Sequence, residues 1–218
     1  MRRAILYLLP PAAFLIFFGG IAIATLSYFA GKPFRFTDAW ISAILSPEDN
    51  PRGAGIASAS ATICGILLLP VAFAFYRILG RGKRKLAAAG ALVFALGPVC
   101  TIAISCVVRD VNRIHVALAY AAFVSMTAGL LILSALAFRG KARGLLLVLL
   151  GGVLAVILYD IIGPDATDKY LFTSTAFQEW ALCSIVAVTT NALSIKLARR
   201  DTFFANAPDR SPKAIIGT

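Results

Sequence analysis

The sequence predicts an all-α fold, a polytopic integral membrane protein built as a bundle of six transmembrane helices. Three observations carry this. Hydrophobic residues make up 60% of the 218 and charged residues only 14%, whereas soluble domains run at about 45–50% and about 25%. The apolar residues also gather into six runs, each near the roughly 20 residues that a helix needs to cross a hydrocarbon core. Finally, the bases behind the net charge of +11 sit in short clusters between the runs, as juxtamembrane loops require.

In chain order the predicted spans are about 4–30, 55–79, 86–108, 115–138, 144–163 and 176–198, within one transmembrane domain over residues 1–200. All six are expected as helices because lipid satisfies no backbone N–H or C=O, and a barrel would read as short alternating segments instead. The first span follows Met1-Arg2-Arg3, which resembles the start of a signal peptide. Its apolar run is far longer than the 7–15 or so residues of such a leader, so it reads as a retained span. Prolines and glycines inside the runs (Pro10-Pro11, Pro70, Gly97-Pro98) predict local kinks. Gly19-Gly20, Ala87 to Gly90 and Gly151-Gly152 predict close helix approach. Between the first two spans, Phe34, Phe36 and Trp40 precede Ile41, Ile44 and Leu45 in helical phase. That pattern predicts a short amphipathic helix lying in the membrane interface. Residues 201–218 read as a short flexible tail.

Orientation follows from the bases. The N-terminus, the 77–85 and 139–143 turns and the chain from Lys196 onward hold 15 basic and 2 acidic residues; the opposite loops hold 6 and 8. The first set is expected to face the cytoplasm, which puts both termini inside and the protein in the plasma (inner) membrane. Arg81, Lys83, Arg84, Lys85, Arg139, Lys141 and Arg143 would then touch anionic lipid. This charge pattern, with no folded polar domain, excludes a nucleic-acid partner.

Ionisable residues within or beside spans mark functional sites in membrane proteins. Here they gather on the outer side: Asp38, the turn containing Arg109, Asp110, Asn112, Arg113 and His115, then Asp160, Glu179 and Trp180. Together they form a candidate headgroup-binding cluster. Each has a plainer reading. Glu179 sits near a helix start and suits capping or an ion pair with Arg109 or Arg113. Trp180 suits an aromatic belt, His115 a loop carbonyl, Asp160 a structural pair with an arginine, and Asn191 a bond between helices. Cys64, Cys100, Cys106 and Cys183 lie in apolar runs with no C-x-x-C pair and read as packing residues. No G-x-S-x-G, H-E-x-x-H or Walker-type motif occurs, and a lone histidine disfavours metal or haem chemistry. No cofactor, metal site or catalytic residue is expected.

Three stretches carry a family resemblance. They are Phe36-Thr37-Asp38-Ala39-Trp40-Ile41-Ser42 with Pro47-Glu48; His115 with Ala119, Ala122-Phe123 and Ala128-Gly129; and Phe177-Gln178-Glu179-Trp180. In order and position they resemble motifs of the Frag1/DRAM/Sfk1 group of six-span proteins, with Thr37 and Gln178 standing where that group has Ser. The outline is also similar to a bacterial six-span group, the DUF998-like proteins. The first resemblance implies membrane lipid handling, with His115, Glu179 and Trp180 carried over most directly and Asp38 after them. The expected function is accordingly lipid-interacting or regulatory and non-enzymatic, with membrane lipids and a membrane protein as the candidate partners. An enzyme acting on outer-leaflet lipids, and a transporter or complex subunit, are the alternatives.

Overall fold

The computed structural model describes residues 2–31, 33, 40–107, 112–162 and 175–205. These form α1 (Arg2–Tyr28), α2 (Ile41–Ile44), α3 (Ala54–Cys106), α4 (Asn112–Ala137), α5 (Gly140–Ile162) and α6 (Thr175–Ala205). Among the described residues there is no strand, and five helices are long and apolar enough to cross a membrane: α1, α3, α4, α5 and α6. Their outward faces are apolar, with Leu15, Leu26, Leu92, Leu145 and Val148 each at least 72% exposed. Such faces are tolerated only where the surrounding medium is hydrocarbon, which marks an integral membrane protein.

The second and third predicted spans both lie in α3, a 53-residue element interrupted at Lys83. A straight helix of that length would extend about 80 Å, well beyond any bilayer. It does not run straight. Lys83 leaves helical geometry at φ −137°, ψ 67°, and the flanking arms 54–82 and 84–106 fold back on each other. A Cβ on Gly65 would lie 2.8 Å from the Pro98 carbonyl oxygen, and Phe75 meets Phe94 with ring centroids 5.7 Å apart. The midpoints of both pairs fall within two residues of Lys83, as an antiparallel hairpin demands. Gly80 and Gly82 lie just before the reversal, and Lys83 is the residue that leaves helical φ/ψ.

Glycines set the tightest interfaces. At Gly129 of α4 a Cβ would stand 2.5 Å from the Phe94 backbone nitrogen, and at Gly97 3.0 Å from the Ala122 carbonyl oxygen. The second arm of α3 and α4 therefore touch backbone to backbone, the arrangement by which small residues drive association in lipid, where no hydrophobic effect separates helix from solvent. Gly20 and Gly90 make comparable approaches to Ser60 and Leu133, whereas Gly19, Gly151 and Gly152 face open space. Helix α5 packs chiefly along α4 at the edge of the bundle. The described core, including Ile21, Leu68, Phe75, Phe94, Leu130, Leu133, Leu193 and Leu197, lies between α1, α3, α4 and α6.

Two other expectations change. The predicted interfacial helix is the four-residue α2, and it lies in the core rather than on the surface, with Ile41, Ala43 and Ile44 buried. The residues before Trp40 that completed its amphipathic pattern fall outside the described set. Helix α6 extends to Ala205, so the helix takes in the start of the predicted tail, and 206–218 lie outside the described residues.

Replacing Gly129 with Ala forces backbone apart and is expected to cost about 1–3 kcal/mol. The same change at Gly151 meets nothing and gains helix propensity, by up to about 1 kcal/mol. Thermal unfolding in detergent should show a lowered Tm for Gly129→Ala and an unchanged or raised one for Gly151→Ala; equal effects would contradict the packing.

Candidate functional site

The antiparallel path of the helices brings the end of α1, residues 40–53, both ends of α3, the start of α4 and the start of α6 to one end of the bundle. Segment 40–53 dips into this end, so its backbone needs internal partners. Two side chains supply them. Asn50, 1% exposed, donates from Nδ2 to the carbonyls of Ala24 (3.0 Å) and Ile44 (3.1 Å), while its Oδ1 accepts from the Gly53 amide (3.1 Å). One amide side chain thus joins the last turns of α1, the end of α2 and the turn into α3.

The second is Glu179. Helix α6 begins at Thr175, so Glu179 is a full turn inside it and does not cap its own helix. Its Oε2 instead accepts from the backbone amides of Ile41 (2.6 Å) and Ser42 (3.3 Å). The first amides of a helix have no intrahelical partner, and the N-cap residue Trp40 makes no side-chain cap bond. Glu179 fills that role from 138 residues away, with a short, charge-assisted bond.

Behind this contact lies a cavity of about 100 Å³ between α1, α2, both arms of α3, α4 and α6. Its walls are mostly apolar, with Phe14, Phe17, Leu68, Phe123, Met126 and Val186 prominent; Ser42, Thr101, His115 and Glu179 provide polar groups, with Cys64 and Cys183 alongside. His115 is buried at 5% exposure, and its Nδ1 lies 3.4 Å from the Val107 carbonyl, across the turn from α3. That contact requires the proton on Nδ1, which leaves Nε2 of a neutral ring as an acceptor. The four cysteines are free thiols.

The predicted cluster is brought together only in part. His115 and Glu179 both line the cavity. Trp180, half-buried, stacks on Phe18 of α1, with ring centroids 6.3 Å apart, and packs against the core. Arg113 is exposed. Asp160 lies near the end of α5, the helix at the bundle edge, with its side chain outside the described set. Asp38, Arg109 and Asp110 lie outside the described residues. Asn191 donates to the Ala187 carbonyl of its own helix at 2.8 Å instead of bridging helices. Of the predicted basic contacts, Arg81, Lys83 and Arg139 line grooves at the opposite end, Arg84 donates to the Tyr76 hydroxyl at 3.2 Å, and Lys85, Lys141 and Arg143 are exposed.

A family model described as "Protein of unknown function (DUF998)" matches residues 11–195. The chain belongs to this family. No curated protein and no solved structure matches it. The part of this DUF998 chain matched by the model runs from within α1 to within α6 and includes every residue that lines the cavity. Asn50, Phe14 and Phe17 were missed as site residues. An Asn between an acidic turn and Pro51-Arg52-Gly53, just before an apolar run, was the available signal for the first; nothing distinguishes the two phenylalanines from their apolar neighbours.

Replacing Asn50 with Ala leaves two carbonyls and an amide buried without that partner, at a cost of about 1–3 kcal/mol. Asn50→Asp sets a carboxylate against those two carbonyls and should lower Tm further at neutral pH. Protonation at acid pH restores a donor, so the gap between the two variants should narrow as pH falls; a pH-independent gap would contradict the assigned bonds. In Glu179→Gln the Ile41 and Ser42 amides lose a charged acceptor, and their hydrogen exchange should accelerate while exchange in the second arm of α3 stays the same.

Proposed function

We propose that this DUF998 chain is a non-enzymatic, lipid-interacting protein of the inner membrane, crossing six times with both termini in the cytoplasm. The two arms of α3 provide two of the six crossings, and the positive-inside bias supports the orientation, with the Glu179 end outward. The observation that carries the functional reading is the composition of the cavity. Ile41 and Ser42, then His115, Ala119, Ala122 and Phe123, then Glu179 all line it. These come from the three separate stretches likened to the Frag1/DRAM/Sfk1 motifs, a likeness that points to lipid handling.

The walls suggest what enters. At about 30 Å³ per liquid water, the cavity has space for roughly three, yet apolar cavities of this scale stay dry and take apolar guests. Hydrocarbon is the abundant guest in a bilayer. Part of an acyl chain, or another apolar group of a lipid, would lie against Phe14, Phe17 and Met126, with polar atoms near Ser42, His115 and Glu179. Acid–base catalysis on lipids is the weaker reading, because Glu179 Oε2 is engaged by two backbone amides and serves the scaffold.

The test is mass spectrometry of lipids retained after polymer extraction with native bilayer. Wild type is expected to carry a specific enriched lipid. Ala119→Leu fills the cavity with hydrocarbon of its own, and should lose that lipid while keeping or raising Tm; His115→Ala should weaken retention. Bulk-like lipid in all three would overturn the reading.

A further inference from the structure

At the end of the bundle opposite Glu179, two open grooves adjoin. One, of about 630 Å³, lies between the α4–α5 turn and α6 and is lined by Arg139, Lys196, Arg199 and Arg200. The other, of about 510 Å³, lies between the reversal of α3 and the end of α4 and is lined by Arg81, Lys83, Arg139 and Arg200. Phe138, Arg139 and Arg200 belong to both. Every ionisable side chain described along them is cationic, and each groove also has apolar lining: Ala192 and Ile195 in the first, Ile78, Leu79 and Leu136 in the second.

Local geometry assembles these cations. Gly140 has a positive φ of 60°, which lets α5 begin immediately after Arg139 and holds that residue at the turn. Lys196, Arg199 and Arg200 follow the i, i+3, i+4 spacing of one helix face. Attraction to a helix C-terminus does not account for Lys196, Arg199 and Arg200. Helix α6 runs on to Ala205, and neither it nor α4 has a base in its last turn.

We propose that the joined grooves hold the headgroup of a lipid carrying two phosphates. Arg81 and Lys83 face one phosphate, Lys196 and Arg199 the other, and Arg139 and Arg200 stand between them. Arginine forks match phosphate oxygens, and basic pockets between membrane helices suit such headgroups. The apolar lining at Phe138 and Ile195 suits the adjoining acyl chains. This rests on membrane insertion but not on the cavity at the Glu179 end.

The full-length protein would be placed in phosphatidylcholine nanodiscs doped, at equal total charge, with either cardiolipin or phosphatidylglycerol, and bound lipid counted by native mass spectrometry. Cardiolipin should be retained over phosphatidylglycerol. Its retention should fall roughly thirtyfold in Arg139→Gln/Arg200→Gln, where two surface bases are lost. It should persist in Arg84→Gln/Lys85→Gln, which removes the same charge outside the two grooves, and in Ala119→Leu. Arg139 and Arg200 are exposed, and folding of the first pair is checked by Tm before retention is compared. Equal losses in the two double variants, or equal retention of the two lipids, would overturn the proposal in favour of diffuse charge. Full displacement of cardiolipin by inorganic pyrophosphate would overturn it in favour of a soluble phosphate ligand.

Discussion

The structure depends on satisfying non-helical backbone inside the bundle. Segment 40–53 interrupts the long helices and buries Ile41, Ala43, Ile44, Ser46, Asn50 and Gly53 beside membrane helices, where an unpaired carbonyl or amide costs several kcal/mol or so. Asn50 answers part of this need with two donated bonds and one accepted, and Glu179 answers another part at the start of α2. Their reach differs in kind. Asn50 acts between sequence neighbours and the end of α1, whereas Glu179 ties the beginning of the chain to its last helix. A four-residue helix has no stability of its own, so α2 depends on this tie together with the Asn50 bond to the Ile44 carbonyl and the burial of Ile41 and Ile44.

The same insertion defines the cavity. Ile41, Ser42 and Leu45 form one wall, and their position follows from the Glu179 contact. The opposite walls are set by the glycine-mediated contact of α3 with α4, where Gly97 and Gly129 bring backbones within van der Waals reach. Close packing on one side and a polar tie on the other leave space between them that the phenylalanines of α1 and the small residues Ala61, Ala119 and Ala122 do not fill. Polar atoms at one end of an apolar space are the usual composition of a site for an amphipathic ligand.

The two ends of the molecule are chemically different. At the Glu179 end, polar side chains are drawn inward and bonded to backbone. At the basic end they stand outward around open grooves, on long stems that lie over apolar surface. The bundle thus separates, along the helix axes, a largely apolar internal cavity from open cationic grooves.

Membrane insertion, helical class and the position of most apolar runs were legible in composition and run length, because a bilayer imposes one requirement on every residue that crosses it. The DUF998 outline was legible too, and Glu179 and His115, which stand out as ionisable groups beside apolar runs, both line the cavity. Other features were decided only in three dimensions. Whether residues 80–85 form a turn or a single displaced residue in a helical reversal depends on packing between the arms. The amphipathic phase of Ile41, Ile44 and Leu45 suits a membrane surface and a protein core equally; the carboxylate of a helix 138 residues away selects the core. The joining of Arg139 to Lys196, Arg199 and Arg200 likewise has no local signal, because it arises where separate helix ends meet. Local physics settled which segments are helices in lipid, and long-range contacts settled what those helices enclose.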